Sequence, residues 1–192
     1  AGMLGETLDF DEIEDVLRTE PGLTYQVLQL ASIGRPGENR RRVHSLREAL
    51  VLAGTWRVQG WIAMLVSRPS DAASDETVDN ALARARACEL LGPAVGATPR
   101  LGFAAGMLST FEQLLQIPSA DLSDTLPLSD ELRAAAFGDQ APMGRLVSDV
   151  AELQDGVAPR RGLSGLSHTE LATAVADGFR WALEARAALD EL

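Results

Sequence analysis

The stretch LGFAAGMLST, residues 101–110, decides how this chain folds. Its apolar residues recur at helical spacing. The first half of the predicted helix carries four small residues, Gly102, Ala104, Ala105 and Gly106. Positions without bulky side chains let another backbone approach closely. We therefore expect a helix over residues 101–117 that forms the centre of the domain and packs tightly against its neighbours.

The same periodicity continues on both sides of this stretch. Apolar residues recur at three- and four-residue spacings along nearly the whole chain, and alternation over the length of a strand is absent. Ser45 with Glu48 forms a capping-box pattern that starts a helix, and Ser167 with Glu170 forms another. Pro21 suits the first turn of a helix. The sequence predicts an all-α fold, a compact multi-helix bundle.

Helix boundaries follow from these signals. Helices are predicted to begin near Phe10 and at Pro21, and the last begins after Ser167. Between them, predicted helices cover residues 46–52, 56–66, 75–91, 129–137 and 144–153. Residues 34–44 and 156–165 are polar, carry glycine and proline, and are predicted to be loops.

Composition limits the classes of function. The chain has 192 residues, with 28 Asp and Glu against 17 Lys and Arg and a net charge of −11. Such a surface repels nucleic-acid phosphates, so we expect no nucleic-acid partner. Apolar runs are shorter than the roughly 20 residues of a membrane-spanning helix, and the N-terminus lacks the pattern of a secretory signal. The lone Cys88 lies among alanine and leucine, which favours an inert buried thiol and a reducing cytoplasm.

Six segments carry a family resemblance when they are taken in order. They are EPGLTYQVL at 20–28, SLREALVLAG at 45–54, RARACE at 84–89, GMLS at 106–109, LPLSDEL at 126–132 and the helix around Trp181. The first three resemble HDOD domains, which are catalytically inactive relatives of the HD phosphohydrolases. The last three are similar to the HDOD version that is fused behind EAL domains, which hydrolyse cyclic di-GMP.

The resemblance implies an HD-like helical fold that serves regulation rather than its own catalysis. It implies a single HDOD domain over residues 1–192 in a piece of a longer EAL-HDOD protein. Within it, residues 1–19 form an N-terminal helical flank and residues 167–192 a C-terminal docking helix. The expected partners are a neighbouring EAL-type domain, other signalling proteins, or a second copy of this chain.

The residue types needed for metal-dependent hydrolysis are scarce. HD phosphohydrolases hold divalent metals with several histidines and aspartates, whereas this chain contains two histidines, His44 and His168. The resemblance places a His-Asp ligand pair immediately after Gly106-Met107-Leu108, at positions where this chain has Ser109 and Thr110. We therefore expect no metal, no cofactor and no catalytic residue.

A basic patch is the first candidate for binding. Arg40, Arg41 and Arg42 are consecutive, and guanidinium groups make bidentate contacts with phosphate or carboxylate groups. Cyclic di-GMP or an acidic partner would suit them. The alternative is a solvated loop whose arginines pair with the protein's own acidic surface.

Two further groups of residues are candidates. Arg84, Ser109 and Thr110 are predicted to line a cavity that remains after the metals of an HD site are lost. Trp61 is predicted either to anchor a partner at the surface or to pack in the core.

Three functions compete at this point. The first is a regulatory interaction module in cyclic di-GMP signalling. The second is a small-molecule or nucleotide sensor that uses the residual HD cavity. The third is a phosphohydrolase whose metal is held by Asp and Glu side chains, since hard cations accept oxygen ligands. We expect the regulatory interaction module, which would be cytoplasmic and would have no catalytic activity of its own.

Overall fold

The computed structural model describes residues 10–32, 42–53, 75–138, 140–157 and 163–190 of the chain. The regular structure of these residues is helical and forms a compact bundle, which confirms the predicted all-α fold. In chain order the helices are α1 Phe10–Thr19, α2 Pro21–Ser32, α3 Leu46–Ala53, α4 Asp75–Leu91, α5 Pro99–Leu108, α6 Phe111–Leu115, α7 Ser119–Thr125, α8 Asp130–Phe137, α9 Pro142–Gln154 and α10 His168–Asp190. A 3-10 turn, Gly92–Val95, follows α4.

The long helix α4 is the axis of the bundle and packs along both α5 and α10. The glycines of its neighbours make this contact close. A Cβ atom added at Gly106 would lie 2.8 Å from the carbonyl oxygen of Arg84, and one at Gly102 would overlap the carbonyl oxygen of Cys88. From the other side, a Cβ at Gly178 would overlap the carbonyl oxygen of Ala83. The close packing predicted for residues 101–110 is therefore confirmed.

Polar caps start several helices where the sequence places them. The Ser129 hydroxyl accepts the backbone N–H of Leu132 at 3.1 Å. At α10, the Ser167 hydroxyl accepts the N–H of Glu170 at 3.3 Å, and the Glu170 carboxylate accepts the N–H of Ser167 at 2.8 Å. The Ser167 hydroxyl also donates to the Glu170 carboxylate at 2.6 Å. This bond, followed by the one from the Ser167 N–H, lowers the pKa of Glu170 below its usual value. The second capping box is confirmed in full.

The capping box at α3 is confirmed in part. The Ser45 hydroxyl accepts the N–H of Glu48 at 3.3 Å, as predicted. The Glu48 carboxylate, however, accepts the N–H of His44 at 2.7 Å instead of that of Ser45. Just before, Val43 is fully buried and forms a parallel bridge with Leu128. This bridge holds the start of α3 against the segment before α8.

Two predicted helices have different boundaries. The single helix predicted over residues 101–117 is wrong, because α5 ends at Leu108 and a turn precedes α6. The reason is local, since the hydroxyls of Ser109 and Thr110 donate to carbonyls three residues earlier, at 2.7 and 2.6 Å, and compete with the helical pattern. The helix predicted over 144–153 begins earlier, at Pro142, since proline is favourable in a first helical turn.

The helix predicted over residues 56–66, the tryptophan at position 61 within it, and most of the two predicted loops lie outside the described residues. None of the described helices has the length and apolarity needed to cross a membrane.

Candidate functional site

A groove of about 490 Å³ runs beside α1, and we call it the α1 groove. Its lining residues come from α1, α3, α4 and the start of α5, and they are Asp11, Glu14, Asp15, Arg18, Arg47, Glu89, Thr98, Pro99 and Arg100. Seven of these nine residues are charged, and both signs are present. The groove is therefore a region where ion pairs join helices that are distant in sequence.

Arg47 of α3 joins two carboxylates of α1. Its Nη1 atom donates to Glu14 Oε2 at 2.9 Å and also to Asp11 Oδ1. The Glu14 side chain is 10% exposed, whereas that of Asp11 is 72% exposed. The hydrogen bond from Arg47, followed by its charge, lowers the pKa of Asp11 below its usual value. The pair with Glu14 is the one shielded from water, because the Glu14 side chain is the less exposed of the two.

Arg18 joins the other end of α1 to the centre of the bundle. Its Nη2 donates to Glu89 Oε1 of α4 at 2.6 Å, and its guanidinium carbon lies 3.9 Å from the centroid of the Phe103 ring. Glu89 also accepts from Arg86 Nη1 at 2.6 Å. The Phe103 ring meets Trp181 of α10 edge to face, with centroids 6.0 Å apart. The arginine is held by both charge and an aromatic face.

A second groove, of about 530 Å³, lies beside α3, and we call it the α3 groove. It is lined by Arg42, His44, Arg47, Glu48, Val51 and Leu52. Arg42 donates to Asp130, and His44 Nδ1 lies 4.0 Å from Glu131 Oε2. Arg42 therefore takes the self-paired arrangement that was the alternative for the basic patch. The other two arginines of that patch, at positions 40 and 41, lie outside the described residues.

The three residues predicted to line a residual cavity lie on α4 and on the turn after α5. Arg84 is buried, and its Nε donates to Gln154 Oε1 of α9 at 2.7 Å. This burial lowers the pKa of its guanidinium. Ser109 and Thr110 donate their hydroxyl protons within their own helix turn, and Thr110 is buried. Neither the α1 groove nor the α3 groove includes these residues, and their binding role stays a prediction.

The cysteine lies in α4, and the two histidines lie at the starts of α3 and α10. Cys88 is fully buried, and burial raises the pKa of its thiol to about 12, so the thiol stays protonated near neutral pH. His44 is exposed at the start of α3, and His168 is exposed in the first turn of α10. In the part of the chain that the structure describes, no group of three or more His, Cys, Asp and Glu side chains is placed to hold a metal ion.

The ion-pair network around α1 did not emerge from the sequence. Asp11 and Glu14 are three residues apart, so their common helix face was visible. Their partner Arg47 is 33 residues away from Glu14, and Glu89 is 71 residues away from Arg18. Charged residues at such separations have the same sequence pattern whether they are solvated or paired.

The described residues form an all-helical bundle with two charged grooves and a buried Cys88 thiol. The chain is 26% identical over 140 residues, 70% of its length, to the uncharacterized protein YuxH of Bacillus subtilis. It is 25% identical over 143 residues, 73% of its length, to the cyclic di-GMP phosphodiesterase CdgJ of Vibrio cholerae.

These matches cover 34% of YuxH and 33% of CdgJ, so the chain spans about one third of the length of the curated relatives it matches. No family model matches the chain, and no solved structure gives a significant match. The similarity establishes a distant relation to a protein named for cyclic di-GMP hydrolysis.

Proposed function

We propose that this chain is a non-catalytic regulatory module of HDOD type that modulates a linked EAL domain acting on cyclic di-GMP. The distant similarity to CdgJ supports the link to this second messenger. The match occupies one third of CdgJ and leaves two thirds of that protein outside it. This division is expected if the matching third is a regulatory module and the rest of CdgJ contains the catalytic domain.

The turn after α5 is the observation that carries the proposal. The resemblance to HDOD domains places the His-Asp ligand pair of an active HD enzyme at Ser109 and Thr110. Metal ligands in such a site must offer imidazole nitrogen or carboxylate oxygen to polarise a phosphate and activate water. Here the two side chains are neutral hydroxyls that donate to the carbonyls of Gly106 and Met107. They act as the end of a helix instead.

Regulation through such a module requires two arrangements whose populations a signal changes. The α1 groove and the α3 groove offer charged surfaces where docking would alter ion pairs between helices. Partners that form or break these pairs would favour one arrangement over the other. The proposal therefore places the regulatory contacts on helix surfaces.

The test is a chimera of CdgJ in which the matching third is replaced by this chain. We expect its rate of cyclic di-GMP hydrolysis to differ at least about fivefold from that of CdgJ lacking the same third, because allosteric couplings commonly have this size. The control is the same chimera with Gly178→Ala, which disrupts the packing of the module. Equal rates for the chimera, the control and the truncated protein would contradict a regulatory role.

A further inference from the structure

Helix α1 is joined to the bundle in different ways at its two ends. Only Glu20 separates it from α2. Next to this junction, the buried hydroxyl of Thr24 donates to the carbonyl of Leu17 at 2.6 Å. The backbone at the C-terminal end of α1 is therefore tied to a side chain of α2, and this tie can serve as a pivot.

The N-terminal end of α1 depends much more on charge. Among the side chains of α1 that the structure describes, the buried apolar ones are Ile13 and Leu17, and Leu17 lies at the pivot. Away from the pivot, Ile13 is accompanied by the contacts of Asp11 and Glu14 with Arg47. One guanidinium thus joins this end of α1 to α3.

The environment of Glu14 makes the contact with Arg47 decisive. Because the Glu14 side chain is 10% exposed, its carboxylate has little water around it. A buried charge that loses its partner costs more than the pair contributes when it is intact. Without the charge of Arg47, the Glu14 carboxylate regains hydration when the N-terminal end of α1 moves away from α3. The Asp11 side chain is 72% exposed and already hydrated, so losing Arg47 gives it no comparable gain in hydration when α1 moves.

We propose that α1 is a releasable helix that swings about its junction with α2, and that the Arg47–Glu14 pair controls its release. Arg47 is suited to this role because it lines both the α1 groove and the α3 groove. An interaction in the α3 groove therefore reaches the residue that holds α1. If the proposed regulatory function is correct, a domain linked ahead of residue 10 would be coupled to the bundle through this helix.

Hydrogen exchange of the full chain, resolved by residue, tests the release. In Arg47→Gln we expect the amides in the second half of α1, which are the ones bonded within the helix, to exchange at least about tenfold faster than in the wild type. A helix of 10 residues is only marginally stable in water once it leaves the bundle. The amides of α4 and α5 should keep their wild-type rates. Adding Glu14→Gln to Arg47→Gln removes the buried charge, so exchange in α1 should return towards the wild-type rate.

The matched control is Arg180→Gln, which breaks the exposed pair between Arg180 and Asp177 within α10. It removes the same charge and should leave α1 unchanged. Unchanged exchange of α1 in Arg47→Gln would overturn the proposal. A parallel rise in α1, α4 and α5 would also overturn it, because it would mean global destabilisation instead of local release. The experiment does not involve cyclic di-GMP, so its outcome is independent of the proposed function.

Discussion

Replacing Gly178 by alanine is expected to destabilise the protein by about 3 kcal/mol, which is at the upper end for overpacking a core. The added Cβ would overlap the carbonyl oxygen of Ala83 and would lie 3.2 Å from its Cα. Both atoms belong to the backbone of α4, so no side-chain rotation can make room. Helix α10 would have to move away from α4, the axis of the bundle.

Gly22→Ala is the matched control for this substitution. Gly22 lies in α2, and a Cβ added there would meet nothing within 4 Å. Alanine restricts the unfolded chain more than glycine does, so this variant should be more stable by about 0.5 kcal/mol. Urea unfolding of both variants measures the difference. Equal stability of Gly178→Ala and the wild type would mean that α4 and α10 are not in backbone contact.

Asp149→Ala is expected to lower the free energy of unfolding by about 3 kcal/mol. The buried Asp149 carboxylate accepts several hydrogen bonds from the turn that precedes α10. Asp149 of α9 is fully buried. Its Oδ1 accepts the N–H of Leu163 at 3.0 Å, and its Oδ2 accepts the N–H of Ser164 at 2.8 Å. The Ser164 hydroxyl also donates to Oδ2, at 2.6 Å. Removing the carboxylate leaves these donors without their acceptor.

Replacing Asp149 by asparagine separates the effect of side-chain volume from that of the carboxylate charge. Asp149→Asn keeps the volume but turns one acceptor into an NH₂ donor that faces other donors, so it should cost about 2 kcal/mol. The control Asp124→Asn removes the same charge from an exposed position of α7 and should change stability by less than about 0.5 kcal/mol. Urea unfolding gives these values, and hydrogen exchange of the Leu163 and Ser164 amides shows whether the turn is released. Wild-type stability and exchange in Asp149→Ala would contradict this role.

The features that could be predicted from the sequence are those whose cause lies within a few residues. Ser129 and the pair Ser167 and Glu170 mark helix starts because the capping bonds span three residues. The turn at Ser109 has an equally local cause, but it was missed. A serine or threonine hydroxyl that bonds a carbonyl of the preceding turn is compatible with a continuing helix as well as with its end. The pattern of apolar residues on both sides favoured continuation.

For features that depend on residues distant in sequence, the type of contact could be predicted, but the partner residue could not. The small residues of α5 indicated a close helix contact, while the carbonyls of Arg84 and Cys88 that they meet are set by the assembled bundle. Asp149 has no distinctive sequence pattern, although it is fully buried and holds a turn 14 residues away. Arg47 lies in the segment SLREALVLAG, which carries part of the family resemblance. Its contact with α1 could not be predicted from the sequence, because it depends on how the helices pack.

The candidate binding residues show the same limit. The cavity lined by Arg84 stays a prediction, and the sequence did not indicate the bond of its Nε to Gln154 across the contact between α4 and α9, a pairing that spans 70 residues. Arg42 was predicted either to bind an anion or to pair with the protein's own acids, and its partner is Asp130. Composition made such self-pairing plausible for a chain of net charge −11, and the structure supplies the partner.

The most direct test of a regulatory, non-catalytic module is the rate of cyclic di-GMP hydrolysis by the purified chain after loading with excess Mn²⁺. We expect no product above that of a protein-free reaction, because the turn at Ser109 and Thr110 offers neither imidazole nor carboxylate to a metal. Product that increases in proportion to protein concentration and disappears on chelation would contradict it, and would make this chain an enzyme with an unorthodox site.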